Sequence, residues 1–206
     1  MVALLIGGYL WYRYNTDENR TIEITKETVI AEEYALTFSY PVGENGLTLI
    51  EPPIEGQPFK KAYLLIPDGE YEAFSQNPEA SEAPAAVSVF IFDIPPAASS
   101  TPAAAPATTA SPTSTTTDPN SRMARLETWA RENSAITSFN FAKSAPETIE
   151  VDGVKFLHYK ADGPYQQDVY MASYKRQAYL FIGQYNAETD RTYTALQEII
   201  ASISFD

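Results

Sequence analysis
Residues 150–186 read EVDGVKFLHYKADGPYQQDVYMASYKRQAYLFIGQYN, three β-type runs separated by turn signals. In the first run Val154, Phe156, His158 and Lys160 point to one side and Lys155, Leu157, Tyr159 and Ala161 to the other. Asp162-Gly163-Pro164 closes it. In the second, Val169, Met171 and Ser173 alternate with Tyr170, Ala172 and Tyr174. After Lys175-Arg176-Gln177 the chain is almost wholly apolar from Ala178 to Gly183, as a central strand covered on both faces requires. This block predicts the centre of an antiparallel sheet.

Upstream, residues 34–40 (YALTFSY) predict a strand stopped by Pro41, residues 47–50 a short strand, and residues 62–66 another that ends in the turn Pro67-Asp68-Gly69. Residues 71–74 read as a continuation of β structure beyond that turn. Residues 86–94 (AVSVFIFDI) form the strongest strand outside the opening block. Fourteen Tyr and ten Phe, most of them inside these runs, favour strand over helix. Two helices are specified. One starts with Asp118 as N-cap and Pro119 in the first helical position, and presents Met123, Leu126, Trp129, Ala130 and Asn133 on one face. Glu127 and Arg131 make an i,i+4 pair on it. The other is capped by Asn186, with a stripe of Tyr193, Leu196, Ile200 and Ile203. Each helix is apolar on one side, so each is expected to cover a sheet face. The fold class read from this pattern is α+β.

Residues 1–14 (MVALLIGGYLWYRY) carry about 12 apolar residues, roughly 18 Å as a helix against a hydrocarbon core of ~30 Å. Tyr9, Trp11, Tyr12 and Tyr14 cluster beside Arg13 as an interfacial belt does, so the segment reads as the exit end of a membrane anchor that starts further upstream. The alternative is an element packed on the domain. Residues 15–33 read as a polar stem followed by an edge strand at Ile22 and Ile24, and residues 34–206 as one domain. Residues 95–117 are uncharged and almost entirely Pro, Ala, Ser and Thr, the composition of a disordered insert.

The formal charge of −13, from 14 basic and 27 acidic residues, argues against nucleic acid as a partner. With no cysteine, disulfides and thiolate metal sites are excluded. His158 is the only histidine, mid-strand, with no second His or Cys to share a metal, and reads as a structural or surface residue. No G-x-S-x-G or other local catalytic signature is present, and no cofactor motif. Asp68, Glu70 and Glu72 alternate, so on a strand the three carboxylates share a face. They are the candidate cation site, with a solvated acidic edge as the plainer reading. Lys155, Lys160, Lys175 and Arg176 are the main basic concentration and the candidate docking patch for an acidic partner; polar outer-face positions of a sheet also explain them.

Phe38-Ser39-Tyr40-Pro41, the strand at residues 87–92, Leu126-Glu127-Thr128-Trp129-Ala130, the GVKFLHY strand at residues 153–159 and the closing IIASISF at residues 199–205 together resemble the PsbP-like fold family. That family includes the extrinsic PsbP subunit of photosystem II and many anchored or exported bacterial domains. The resemblance implies an antiparallel sheet between helices, an α-β-α sandwich, and a domain on the extracytoplasmic side. Arg13, Arg20 and Lys26, which follow the apolar segment, point the other way, to a cytoplasmic domain. The functional expectation is a non-enzymatic accessory or protein-interaction domain, held to the membrane by its N-terminus and facing an envelope protein. A small-ligand or cation-binding module is the alternative.

Overall fold
The strand Gln177–Tyr185 (β9) is buried from Ala178 to Gly183, and its side chains divide between two cores. The computed structural model describes residues 25–44, 46–76, 82–94 and 119–206, with side chains from residue 122 onward in the last segment. Residues 1–24, the insert at 95–117 and Asp118 lie outside the described residues, and with them the anchor, stem, Ile22/Ile24 strand and N-cap expected there.

β9 pairs antiparallel with Val87–Asp93 (β5) on one side and with Gln166–Tyr174 (β8) on the other. Leu47–Ile50 (β3) and Lys61–Pro67 (β4) extend the sheet beyond β5, and Val154–Ala161 (β7) and Glu147–Val151 (β6) extend it beyond β8. The result is a seven-stranded antiparallel sheet of order β3-β4-β5-β9-β8-β7-β6. A second sheet, order β1-β2-β10, joins Thr25–Ala31 (β1), Leu36–Val42 (β2) and Ser204–Phe205 (β10).

The period-2 alternation of the strands builds both cores. Val89, Ile91, Phe156, Ala172, Tyr179 and Phe181 face the helix Arg191–Ser202 (α4) and β2. Leu157, Tyr159, Val169, Met171, Leu180 and Ile182 face the other way, under the helix Pro119–Glu132 (α2), which inserts Leu126 and Ala130. The sheet therefore lies between helices, each one-sided helix covering a sheet face as expected, in the α-β-α sandwich that the resemblance implies. Two short α-helices, Glu70–Gln76 (α1) and Ser134–Thr137 (α3), and two single 3-10 turns, Glu32–Tyr34 and Phe139–Phe141, complete the helices among the described residues.

Three local expectations are corrected. Residues 71–74 are helical, because Gly69 turns the chain at φ +83° and its carbonyl accepts the Ala73 N–H. Strand β2 passes through Pro41 to Val42. The Ser39 N–H points away from β1, to the Ser202 hydroxyl, so the Pro41 nitrogen two residues on faces the same edge. β10 pairs there only with Leu36 and Thr37, so the missing N–H leaves no ladder bond unmade. Helix α4 starts at Arg191, not after Asn186: the Asp190 carboxylate accepts the N–H groups of Asn186 and Ala187, holding that stretch in a turn. Its buried stripe is consequently Thr192, Ala195, Leu196, Ile199 and Ile200, and Tyr193 moves to the flank, edge-on to Tyr185.

Candidate functional site
Asp152-Gly153 makes the two-residue turn between β6 and β7, both residues at positive φ (50° and 71°), the backbone a tight hairpin needs. That turn fixes the register Val151↔Val154 and so brings Glu147 opposite His158. On its other side β7 pairs with β8, which sets Tyr170 opposite His158 and Asp168 one diagonal step away. Strands β6, β7 and β8 thus meet at one imidazole. His158 Nδ1 lies 2.7 Å from Glu147 Oε1, and Nε2 lies 2.6 Å from Asp168 Oδ1. The Tyr170 ring stacks on it at 4.3 Å between centroids, 20° from parallel. Gln197 of α4 donates to Asp168 Oδ2 at 2.9 Å, and the Tyr170 hydroxyl reaches the same oxygen at 3.3 Å.

The two carboxylates differ in setting. The Asp168 side chain is 1% exposed and that of Glu147 is 66% exposed, with His158 between them at 15%. A neutral imidazole has one N–H, so one of its lone pairs would face a carboxylate; the imidazolium donates to both. Burial works to lower the His158 pKa, but the hydrogen bonds to Asp168 and Glu147 outweigh it, and the pKa is raised above the ordinary histidine value. The Tyr170 hydroxyl is pushed up by burial first and by Asp168 second.

This arrangement favours the protonated imidazole. Both ring nitrogens are engaged, and none of their partners is a serine, threonine or lysine that an imidazole base could activate. Glu147 and Asp168 stand on opposite sides of the ring and cannot converge on one ion. Among the described residues, no three His, Cys, Asp or Glu side chains are placed to hold a metal.

The residues singled out in the sequence are scattered. Asp68 sits in the β4–α1 turn and accepts the Thr48 hydroxyl at 2.6 Å, whereas Glu70 and Glu72 lie in the first turn of α1. The shared strand face on which the cation site rested does not form. Lys155 and Lys160 are an odd number of residues apart on β7 and project to opposite faces, so the four cations do not make one patch. Lys160 pairs with Glu188 beside α4. Lys175, in the β8–β9 turn, donates to the Asp206 carbonyl oxygen, and Arg176 follows it there, exposed. Glu147 and Asp168 were missed, although the Asp-Gly turn alone gives the Glu147–His158 register.

Among the described residues no helix is long and apolar enough to cross a membrane. No protein-family model matches the chain, and no curated protein matches it. The chain is an α+β domain built on an antiparallel sheet between helices. Among solved structures it is similar to the solution structure of cyanobacterial PsbP (CyanoP) from Synechocystis sp. PCC 6803, at 11% identity and a TM-score of 0.45, over 91% of this chain and 96% of that one.

Proposed function
We propose that this chain is a non-catalytic accessory domain, tethered to a membrane through residues 1–14 with the domain on the extracytoplasmic side, that works by binding a partner protein of the envelope. The observation that carries the non-catalytic reading is the state of His158. The chain's single histidine has both nitrogens committed to carboxylates and a tyrosine ring over its face, a structural clip across β6, β7, β8 and α4. Tethering is supported by the aromatic belt of Tyr9, Trp11, Tyr12 and Tyr14 beside Arg13.

The test uses intact cells producing the full chain, with detection at the C-terminus. External protease is expected to remove the domain and leave an N-terminal stub in the membrane fraction. In-cell crosslinking from surface positions is expected to trap a discrete envelope protein. Protection until lysis, followed by recovery of a soluble chain, would refute the tether. A domain that crosslinks to nothing while turning over a substrate would refute the accessory role.

A further inference from the structure
Strand β1 ends its sheet, and among the described residues one of its edges is unpaired. Ser39, opposite Thr28, donates its N–H to the Ser202 hydroxyl at 2.8 Å and turns its carbonyl to the same hydroxyl at 3.1 Å, so both of its backbone groups point away from β1. Thr28 therefore stands in a pair that exchanges no ladder bonds. Its own N–H and C=O, with those of Lys26 and Ile30 in the same phase, point away from β2. Among the described residues no backbone group bonds to them. Ile30 is 64% exposed beside that edge. Such a row of unpaired groups is a template for a further strand.

The edge borders a groove. Residues 27–34 line a cavity of about 460 Å³, and a second of the same volume shares Glu27, Tyr40 and Leu49 with it. The apolar lining lies on a single face of the fold: Val29, Tyr34, Tyr40, Leu49 and Tyr63 all belong to the core under α4. The rim is acidic, with Glu27, Glu32, Glu33, Glu51 and Asp68. Its one cation, Lys61, is held by Glu51 and lies 5.1 Å from the centre of the Tyr63 ring. Glu27 accepts the Tyr40 hydroxyl at 2.7 Å and Asp68 that of Thr48, bonds that leave both charges unopposed. Glu32 and Glu33 are exposed and pair with no described cation.

We infer that the free edge of β1 takes up an extended basic segment of a partner protein as an added strand, its backbone paired with Thr28 and Ile30 and its cationic side chains in the acidic groove. The inference rests on the accessory reading above and specifies its partner. In such additions main-chain hydrogen bonds supply affinity, and the side chains that alternate along the new strand supply selection. One side of the added strand lies beside Thr28 and Ile30 and suits β-branched or apolar residues. The other side meets the groove, where five carboxylates to one lysine favour Lys or Arg and repel an acidic strand. The chain's own residues 15–24 carry Asp17, Glu18 and Glu23 against Arg20, and residues 95–117 carry no charge, so neither segment matches the groove. A second copy of the chain, at net charge −13, is also the weaker match.

The experiment measures fluorescence anisotropy of the full-length chain, in micelles of a neutral detergent, with a fluorescein-labelled peptide of alternating Lys and Val. A Gln/Val peptide of equal length is the neutral control. The Lys/Val peptide is expected to bind, more weakly as salt is raised. Thr28→Pro removes one outward N–H and no bond to β2, and is expected to weaken binding about tenfold or more. Thr28→Val loses the same hydroxyl but keeps the N–H, and is expected to stay close to wild type. E32K/E33K is expected to weaken binding about tenfold, and E72K/E132K, the same change in net charge on α1 and α2, far less. If Thr28→Pro does not fold, the peptide carries the test. Methylation of its alternate backbone nitrogens is expected to abolish binding in one phase and spare it in the other. Wild-type affinity in a folded Thr28→Pro, the same result from both methylation phases, equal weakening by both reversal variants, or no preference over the Gln/Val peptide overturns the proposal. So does a dimer in sedimentation that Thr28→Pro dissolves, which would give the edge to a second copy of the chain. A negative peptide result leaves the in-cell crosslinking outcome untouched, so the two readings fail separately.

Discussion
Asp168→Asn isolates the charge at the centre of the histidine clip. The two side chains have the same shape, and the asparagine oxygen still accepts from His158 Nε2. Its amide nitrogen replaces the acceptor that Gln197 and Tyr170 now use, and the Gln197 amide can turn to present its own oxygen. What is lost is the charge on a bond made in a site where Asp168 is 1% exposed. A hydrogen bond to a charged group is worth about 1.5–3 kcal/mol and a neutral one about 0.5–1.5, so the variant is expected to lose about 1–2 kcal/mol while His158 is protonated. Glu147→Gln acts on the exposed partner, screened by water, and is expected to change stability by less than about 1 kcal/mol. The effect depends on pH in a fixed sense. The folded-state pKa of His158 is raised, so its contribution is complete below the unfolded value of ~6.5 and is lost as pH rises through the higher folded value. The Asp168→Asn deficit should therefore be present about one unit below pH 6.5 and largely gone well above the folded value. Urea unfolding at the two pH values measures it. A ring-proton NMR titration of the only histidine reports the pKa directly, expected above the ordinary value in wild type and lower in Asp168→Asn. An Asp168→Asn penalty equal at both pH values, a larger penalty from Glu147→Gln, or a wild-type His158 that titrates below ~6.5 would each refute the reasoning.

Two further perturbations probe the layers that hold the clip. A Cβ added at Gly183 of β9 meets Leu196 Cδ2 at 2.6 Å and Leu196 Cβ at 3.1 Å, so Gly183→Ala should destabilise by about 1–3 kcal/mol. Combined with Leu196→Ala it should fall short of the sum of the two singles, measured by a double-mutant cycle in urea; strict additivity would contradict the close approach of α4 to the sheet. On the opposite face the buried Tyr159 hydroxyl donates to the Thr137 carbonyl at 2.6 Å. Tyr159→Phe should leave that acceptor unsatisfied and lower the unfolding free energy by about 1–3 kcal/mol, whereas a change below the error of thermal melts would show that the bond is not made.

The block at residues 150–186 carries its fold openly because alternation is a local property. Tyr179 and Phe181 must face one core once Ala178, Leu180 and Ile182 face the other. The face of α2 is legible for the same reason, with Leu126 and Ala130 buried and Glu127 bonded to Arg131 at 2.7 Å. What failed to show is what depends on contact. Whether residues 71–74 extend or coil is decided by Gly69, and whether Asn186 or Asp190 caps α4 by which side chain folds back on the preceding turn. The clip lay further from view. Its Glu147–His158 half follows from the Asp152-Gly153 turn, but Gln197 reaches Asp168 only through the docking of α4. The basic residues show the opposite limit. Lys155 and Lys160 are neighbours in sequence yet are parted by the pleat, while Arg122 and Lys155, more than thirty positions apart, line one cavity.

The placement of β9 has a consequence for how the chain is made. β5 finds its second sheet neighbour only in β9, and Phe38 and Tyr40 of β2 are covered in a core to which α4 contributes Leu196, Ile199 and Ile200. During translation, strands β1 to β5 emerge long before residues 177–205, and by themselves they have no way to close either core. The nascent polypeptide is held short of its native state until that late segment leaves the ribosome.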